Sequence, residues 1–217
     1  MICVSVGERD YRDTVAVASL YSFAEIRLDL LDKVDSTIAG KIFSSHSRLI
    51  ATYRKNSRGD AHRLSIIKAA VNNNALFIDV DIKESPPFIT AVRDLCIDTP
   101  SNLIVSFHDY NETPGFETLD AIIAQALESG ADAVKIACTA SCAAHVERLL
   151  SLPDYYRGYK IIIAGMGDFG PRVRILSRAA GSFFTYASHS SGKATASGQL
   201  DYKTLLREQK RLENVRD

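Results

Sequence analysis

Eight short apolar runs punctuate the 217-residue chain, and most of what lies between them is helical in pattern. The runs cover residues 2–6, 23–28, 48–53, 75–80, 102–107, 131–136, 160–164 and 182–186. They are rich in Val, Ile and Phe and do not alternate strictly between apolar and polar, as befits strands covered on both faces. Helical patterns follow at 13–21, 61–72, 87–95, 116–129, 141–150, 171–179 and 201–215, and segment 34–45 carries the least distinct one. The last places Leu205, Leu206 and Leu212 among charges, as an outer helix does. Thr113-Pro114-Gly115 is a helix start signal and Ser129-Gly130 a stop signal. Strands alternating with helices give a parallel sheet with right-handed crossovers. Eight such units close on themselves, so the expected fold is α/β, a (β/α)8 TIM barrel, with residues 1–217 as a single catalytic domain. An open doubly wound sheet would announce itself by a Gly-rich phosphate turn after the first strand. The turn here, Gly7-Glu8-Arg9-Asp10, has one glycine.

Lys+Arg and Asp+Glu both number 26, so the net charge is zero. That gives no basic excess to attract nucleic acid or an anionic membrane, and a small-molecule substrate is expected instead. No apolar stretch approaches a membrane span. The apolar run at the N-terminus is too short for a signal-peptide core, and no basic residues precede it. The cysteines are Cys3, Cys96, Cys138 and Cys142, and the four-residue step between the last two is not a zinc-pair spacing. Reduced thiols, a cytoplasmic location, no metal and no cofactor are expected.

Barrel chemistry gathers at the C-terminal ends of the strands. Those ends carry Glu25-Ile26-Arg27-Leu28-Asp29, Thr52-Tyr53-Arg54, Asp79 and Asp81, Ser106-Phe107-His108-Asp109, Lys135-Ile136-Ala137 and Gly165-Met166-Gly167. The eighth run leads into a small, polar loop, 187–198, and then Gln199. Glu25, Arg27 and Asp29 would share one strand face, as would Asp79 and Asp81. A charge buried on either face must be paired or functional, so a structural ion-pair network competes with a binding role.

Lys135 stands out, a lysine inside the apolar segment 131–137. Lysine is almost never buried without a reason. Burial disfavours an ammonium charge, and a neutral amine can attack a carbonyl and form an imine. A salt bridge to Asp132 or to a strand-four aspartate is the alternative. His108, at the end of the preceding strand, could act as base and then acid near neutral pH, or could be a hydrogen-bonded loop histidine. His46, His62, His145 and His189 read as surface residues of helices or loops.

Together these residues resemble type I 3-dehydroquinate dehydratase, a Schiff-base βα-barrel family whose members are usually dimeric. Glu25-Ile26-Arg27-Leu28-Asp29 looks like its E-x-R-x-D strand and Thr52-Tyr53-Arg54 like its T-x-R. Asp79 and Asp81 match its strand-four acidic pair. Ser106–Tyr110 is similar to its S-x-H-D-F, and residues 132–137 to the strand with the imine-forming lysine. Met166-Gly167, Gly170 and Arg174 resemble M-G-x-x-G-x-x-S-R, Phe184-Thr185-Tyr186 its strand eight, and Gly198-Gln199 the end of its S-A-P-G-Q. The motifs run in order along nearly the whole chain. Departures are Arg58 where the family often has a glutamate that helps orient the histidine, Val173 for the serine before Arg174, Ser197 for the lid proline, and Thr195 at the lid serine.

The resemblance implies a hydro-lyase of the shikimate pathway acting on 3-dehydroquinate, with Lys135 forming the Schiff base and His108 as general acid and base. It further implies Arg174 on the substrate carboxylate, Thr195 and Gln199 closing from the lid, and Met166 and Tyr186 as apolar walls. Glu25, Arg27 and Arg54 would hold the ring hydroxyls and make the pocket cationic. A homodimer is implied. Two rivals remain: a class I Schiff-base aldolase of a phosphorylated sugar, which needs a phosphate site after strands seven and eight, and a catalytically dead barrel kept for binding.

Overall fold

A computed structural model describes residues 1–216. Its strands and helices alternate without exception: β1 (Ile2–Val6), α1 (Tyr11–Ala18), β2 (Ala24–Arg27), α2 (Ser36–Ser44), β3 (Leu49–Thr52), α3 (Asp60–Asn72), β4 (Phe77–Asp81), α4 (Pro86–Cys96), β5 (Asn102–Asp109), α5 (Phe116–Glu128), β6 (Ala133–Thr139), α6 (Ala143–Tyr155), β7 (Ile161–Met166), α7 (Gly170–Ser177), β8 (Thr185–Ser188) and α8 (Tyr202–Arg216). A short 3-10 turn, Leu28–Leu30, follows β2. The strands form one sheet in the order β7-β6-β5-β4-β3-β2-β1-β8. β1 pairs in parallel with β8, so the first and last strands of the chain are neighbours. This is the expected (β/α)8 class.

The chain divides into two compact units. The first holds Met1–Ser5, Phe107–Ala124 and the chain from Val134 onward. In it β6 and β7 run parallel from Val134↔Ile161 to Thr139↔Met166. Between β7 and β8 a side chain takes part: Ser182 Oγ accepts from Ile163 N (3.0 Å) and donates to Phe184 O (2.8 Å). Val134, Ile136, Leu149, Leu152, Ile162, Ile163, Val173 and Phe184 are buried in this unit. α7 lies directly on β7, because a Cβ at Gly165 would sit 2.5 Å from Val173 Cβ.

The second unit holds Val6–Ser106 and Gln125–Ala133. Strands β2, β3, β4 and β5 pair in parallel within it. All four residues of β3 are buried, which explains why its sequence shows no alternation. Phe23, Ile26, Phe43, Ile50, Ile66, Ile67, Ile78, Val92 and Ile104 fill its interior. The indistinct 34–45 segment does form a helix, α2, whose first turn is capped by Asp35 accepting from Ile38 N at 2.8 Å.

Element boundaries shift by a few residues from expectation, and at three of them the cause is visible. β6 begins at Ala133 and runs on to Thr139, because Asp132 turns aside to accept from Leu103 N (2.7 Å) and the ladder to β7 continues through Cys138 and Thr139. β8 starts at Thr185, since Ser182 and Phe183 are spent on the tie to β7. α6 extends to Tyr155 with Pro153 inside its last turns, packed as a buried ring. Asp29 also lies in the 3-10 turn, outside the strand it was expected to share with Glu25 and Arg27.

Candidate active site

In the first unit the strands carry an amine and an imidazole, and helix α7 a guanidinium. Lys135 projects from β6 between Val134 and Ile136 and is 5% exposed. Its Nζ lies 4.6 Å from the ring centroid of Tyr186 on β8, which is itself buried. The negative face of a ring attracts positive charge, more strongly where water is scarce. His108, near the end of β5, is 9% exposed and stacks on Tyr110 with centroids 6.1 Å apart. Its neighbour Asp109 faces the following turn, where Oδ1 accepts from Asn111 N (2.9 Å) and Glu112 N (3.1 Å). Two threonines stitch the end of β6 to the loop after β5: Thr139 Oγ1 donates to Tyr110 O (2.9 Å), and Thr113 Oγ1 donates to Thr139 O (2.9 Å).

Arg174 on α7 is 2% exposed. Its Nε donates to Gly165 O (2.8 Å) and its Nη1 to Tyr186 O (3.2 Å), so β7 and the strand carrying Tyr186 fix the plane of the guanidinium. Those two bonds fix the guanidinium's orientation within the unit. The loop after β8 folds back over β1. Thr195 Oγ1 donates to Ser5 Oγ (2.8 Å), and Thr195 N donates to Gln199 Oε1 (2.8 Å). Ala196 packs against Ala137, Ala164 and Met166. Thus Lys135, His108, Met166, Arg174, Tyr186, Thr195 and Gln199 all belong to one unit.

The second unit carries the other predicted residues as a paired network. Glu25 is buried, and its Oε1 accepts from Thr52 Oγ1 (2.9 Å). Arg27 grips Asp29 with two nitrogens, at 3.0 and 2.7 Å. Arg54 Nη2 lies 2.9 Å from Asp79 Oδ1 and its Nη1 lies 3.7 Å from Asp81 Oδ2. Arg54 Nη1 also donates to Ser106 Oγ (3.1 Å), and Ser106 donates to Asp79 Oδ1 (2.7 Å). Burial works against the Arg54 charge, but Asp79, Asp81 and Glu25 outweigh it and raise its pKa above the ordinary value. Two arginines face four carboxylates in this group, so it does not supply the net positive charge expected of it. Arg58 Nη2 donates to Asp32 O at 3.0 Å.

Sequence reasoning assigned no role to Ser5 or to the Thr113–Thr139 stitch, and noted Ser106 only as part of the motif that holds His108. Hydroxyls fit inside apolar runs without breaking the pattern, so only their position at strand ends could have marked them. His62 is half-buried against Tyr53, with ring centroids 6.2 Å apart, and is not a plain surface residue. Among the described residues no group of three or more His, Cys, Asp or Glu is placed to hold a metal ion. No helix among them is long and apolar enough to cross a membrane.

The model of the type I 3-dehydroquinase family matches residues 2–212. The chain belongs to this family. It is 34% identical over 217 residues to a 3-dehydroquinate dehydratase from Methanococcus maripaludis, covering 94% of this chain and 96% of that protein. Among solved structures, a type I 3-dehydroquinate dehydratase from Clostridium difficile aligns with a TM-score of 0.86 at 23% identity, over 99% of this chain and 92% of that one. The 3-dehydroquinate dehydratase from Geobacillus kaustophilus aligns at 0.87 with 22% identity, over 98% and 91%. At such identities these two likenesses speak for the fold. The family match and the relative at higher identity carry the membership.

Proposed function

We propose that this family member, as one catalytic domain, converts 3-dehydroquinate to 3-dehydroshikimate through an imine on Lys135. The observation that carries the reading is the placement of Lys135: a lysine amine in a buried strand, against the face of Tyr186. The amine attacks the C3 ketone and water leaves, giving an iminium. The positive nitrogen acidifies the C2 proton, and His108 removes it to give an enamine. The enamine expels the C1 hydroxyl, to which His108 returns the proton. Water then adds to the iminium carbon and releases the enone, so one water is lost overall.

Arg174 binds the substrate carboxylate, Thr195 and Gln199 close over it, and Met166 and Tyr186 line it. Glu25, Arg27 and Arg54 hold the ring hydroxyls. Their pairing supports selection among hydroxyls through fixed donors and acceptors. The tight packing after β7 speaks against the sugar-phosphate aldolase. A Cβ at Gly198 would lie 2.7 Å from Gly167 O, and the N–H groups of Phe169 and Gly170 are spent on Ala140 O and Gly167 O. That leaves the start of α7 little room or donor capacity for a phosphate.

We further propose that the enzyme works as a homodimer in the cytoplasm, a reading supported by the family's habit and by four free cysteines of which three are buried. The direct test is turnover of 3-dehydroquinate, followed by formation of the conjugated enone. Wild type should turn over, and Lys135→Ala should lose at least about a thousandfold in kcat. Activity in the variant within a few fold of wild type would refute the mechanism.

A further inference from the structure

We propose that Arg63 and Glu84 are positioning residues that set the place of Arg54, and hence substrate affinity; this rests on reading Arg54 as a substrate-binding residue. Arg54 follows β3 in a stretch, residues 53–59, that has no strand or helix. No sheet ladder therefore holds its backbone. Arg63, in the first turn of α3, does so instead. It is 1% exposed, and its Nη2 donates to Tyr53 O (3.1 Å), the carbonyl of the peptide that leads into Arg54. The same guanidinium takes Glu84 with both terminal nitrogens, Nη2 to Oε1 at 2.5 Å and Nη1 to Oε2 at 3.2 Å. It also reaches Asp60 Oδ1 (3.0 Å) and lies 4.1 Å over the ring of Phe88.

Glu84 connects this cluster to the other side of Arg54. Its backbone N–H donates to Asp81 O (3.0 Å), so it closes the turn that begins at Asp81. Asp81 is one of the two carboxylates that pair with Arg54. One buried guanidinium thus ties the peptide before Arg54 to the turn bearing a counterion of Arg54. All these residues lie in the second unit.

Stability alone does not account for such a device. A buried ion pair rarely outdoes a hydrophobic pair of the same volume, because desolvating two charges offsets their attraction. Arg63 Nε is moreover buried with no hydrogen-bond partner, a cost that simple packing would avoid. A two-pronged guanidinium–carboxylate contact does fix distance and plane together. An error of about 1 Å in a substrate-positioning group can cost roughly a hundredfold in rate.

The test compares full-length Arg54→Ala, Arg63→Met, Arg63→Lys, Glu84→Gln and the double variant Arg54→Ala/Arg63→Met, reading kcat, KM for 3-dehydroquinate and Tm. Arg63→Met should raise KM by about tenfold with a much smaller change in kcat. Arg63→Lys should recover part of the loss. The double variant should be no worse than Arg54→Ala, since both changes remove one function. If Arg63→Met does not fold, Glu84→Gln replaces it and should raise KM in the same way. Wild-type KM in a folded Arg63 or Glu84 variant, or losses that add in the double variant, would overturn the proposal. Arg54→Ala with unchanged KM would overturn the reading of Arg54 and the proposal with it. A raised KM in Arg54→Ala but not in Arg63→Met would sink the positioning role alone.

Discussion

At the scale of single residues, the proposed chemistry turns on one nitrogen and what surrounds it. Lys135 Nζ sits on the face of Tyr186, so a cation formed there, the iminium included, meets the negative side of the ring. Replacing Tyr186 by Leu removes that face while keeping an apolar wall, and kcat should fall about tenfold, the scale of a desolvated cation–π contact. Tyr186→Phe keeps the ring and should stay within a few fold of wild type. Equal losses in the two variants would show that the hydroxyl, not the ring, matters. Lys135 drew notice in the sequence as a charge inside an apolar run, and His108 as a histidine directly after one. Ser5 and Ser106 drew no role of their own, although each bonds a predicted site residue, because serine in a strand of mixed small and apolar residues gives no contrast. The acidic partners of Arg54 were legible as charges, but their number against two arginines was not turned into a sign, so the group was misjudged as cationic.

At the scale of elements, the loop after β8 is held by contacts at its far end. Thr195 reaches Ser5 and Gln199, while Gly198 packs its Cα side against the turn after β7. Gly198 has φ +70°, and an added Cβ would meet Gly167 O at 2.7 Å and Pro171 Cδ at 3.4 Å. Gly198→Ala should therefore cost about 1–2 kcal/mol from the left-handed backbone alone, and lower Tm by roughly 2–8 °C for a chain of this size. Because Gln199 is the next residue, KM should rise as well. An alanine variant with wild-type Tm and KM would mean that the loop is not anchored there. Hydrophobic runs located all eight strands but misplaced the ends of β6 and β8. Hydrophobicity cannot register a polar residue that continues a ladder, such as Thr139, or an apolar one diverted from it, such as Phe183. α2 was faint for a related reason: its apolar face is short, and the Asp35 cap contributes to defining it.

At the scale of the whole molecule, repetition made the fold readable. Eight apolar runs with intervening helices leave few topologies once crossovers must be right-handed, and the observed strand order is the one they imply. Closure of eight such units also places β1 beside β8, and that pairing is observed, although it joins residues at opposite ends of the chain. Function was readable from the same frame, because the barrel class assigns chemistry to strand ends and so turns isolated charges into a short set of candidates.

The central claim is that Lys135 forms a covalent imine with a ketone substrate. It is tested most directly by adding borohydride to the folded protein in the presence of 3-dehydroquinate, weighing the intact chain and mapping any adduct. A single substrate-derived adduct on Lys135, absent from Lys135→Ala, is the predicted result. An unmodified chain, or an adduct on any other lysine, would contradict it.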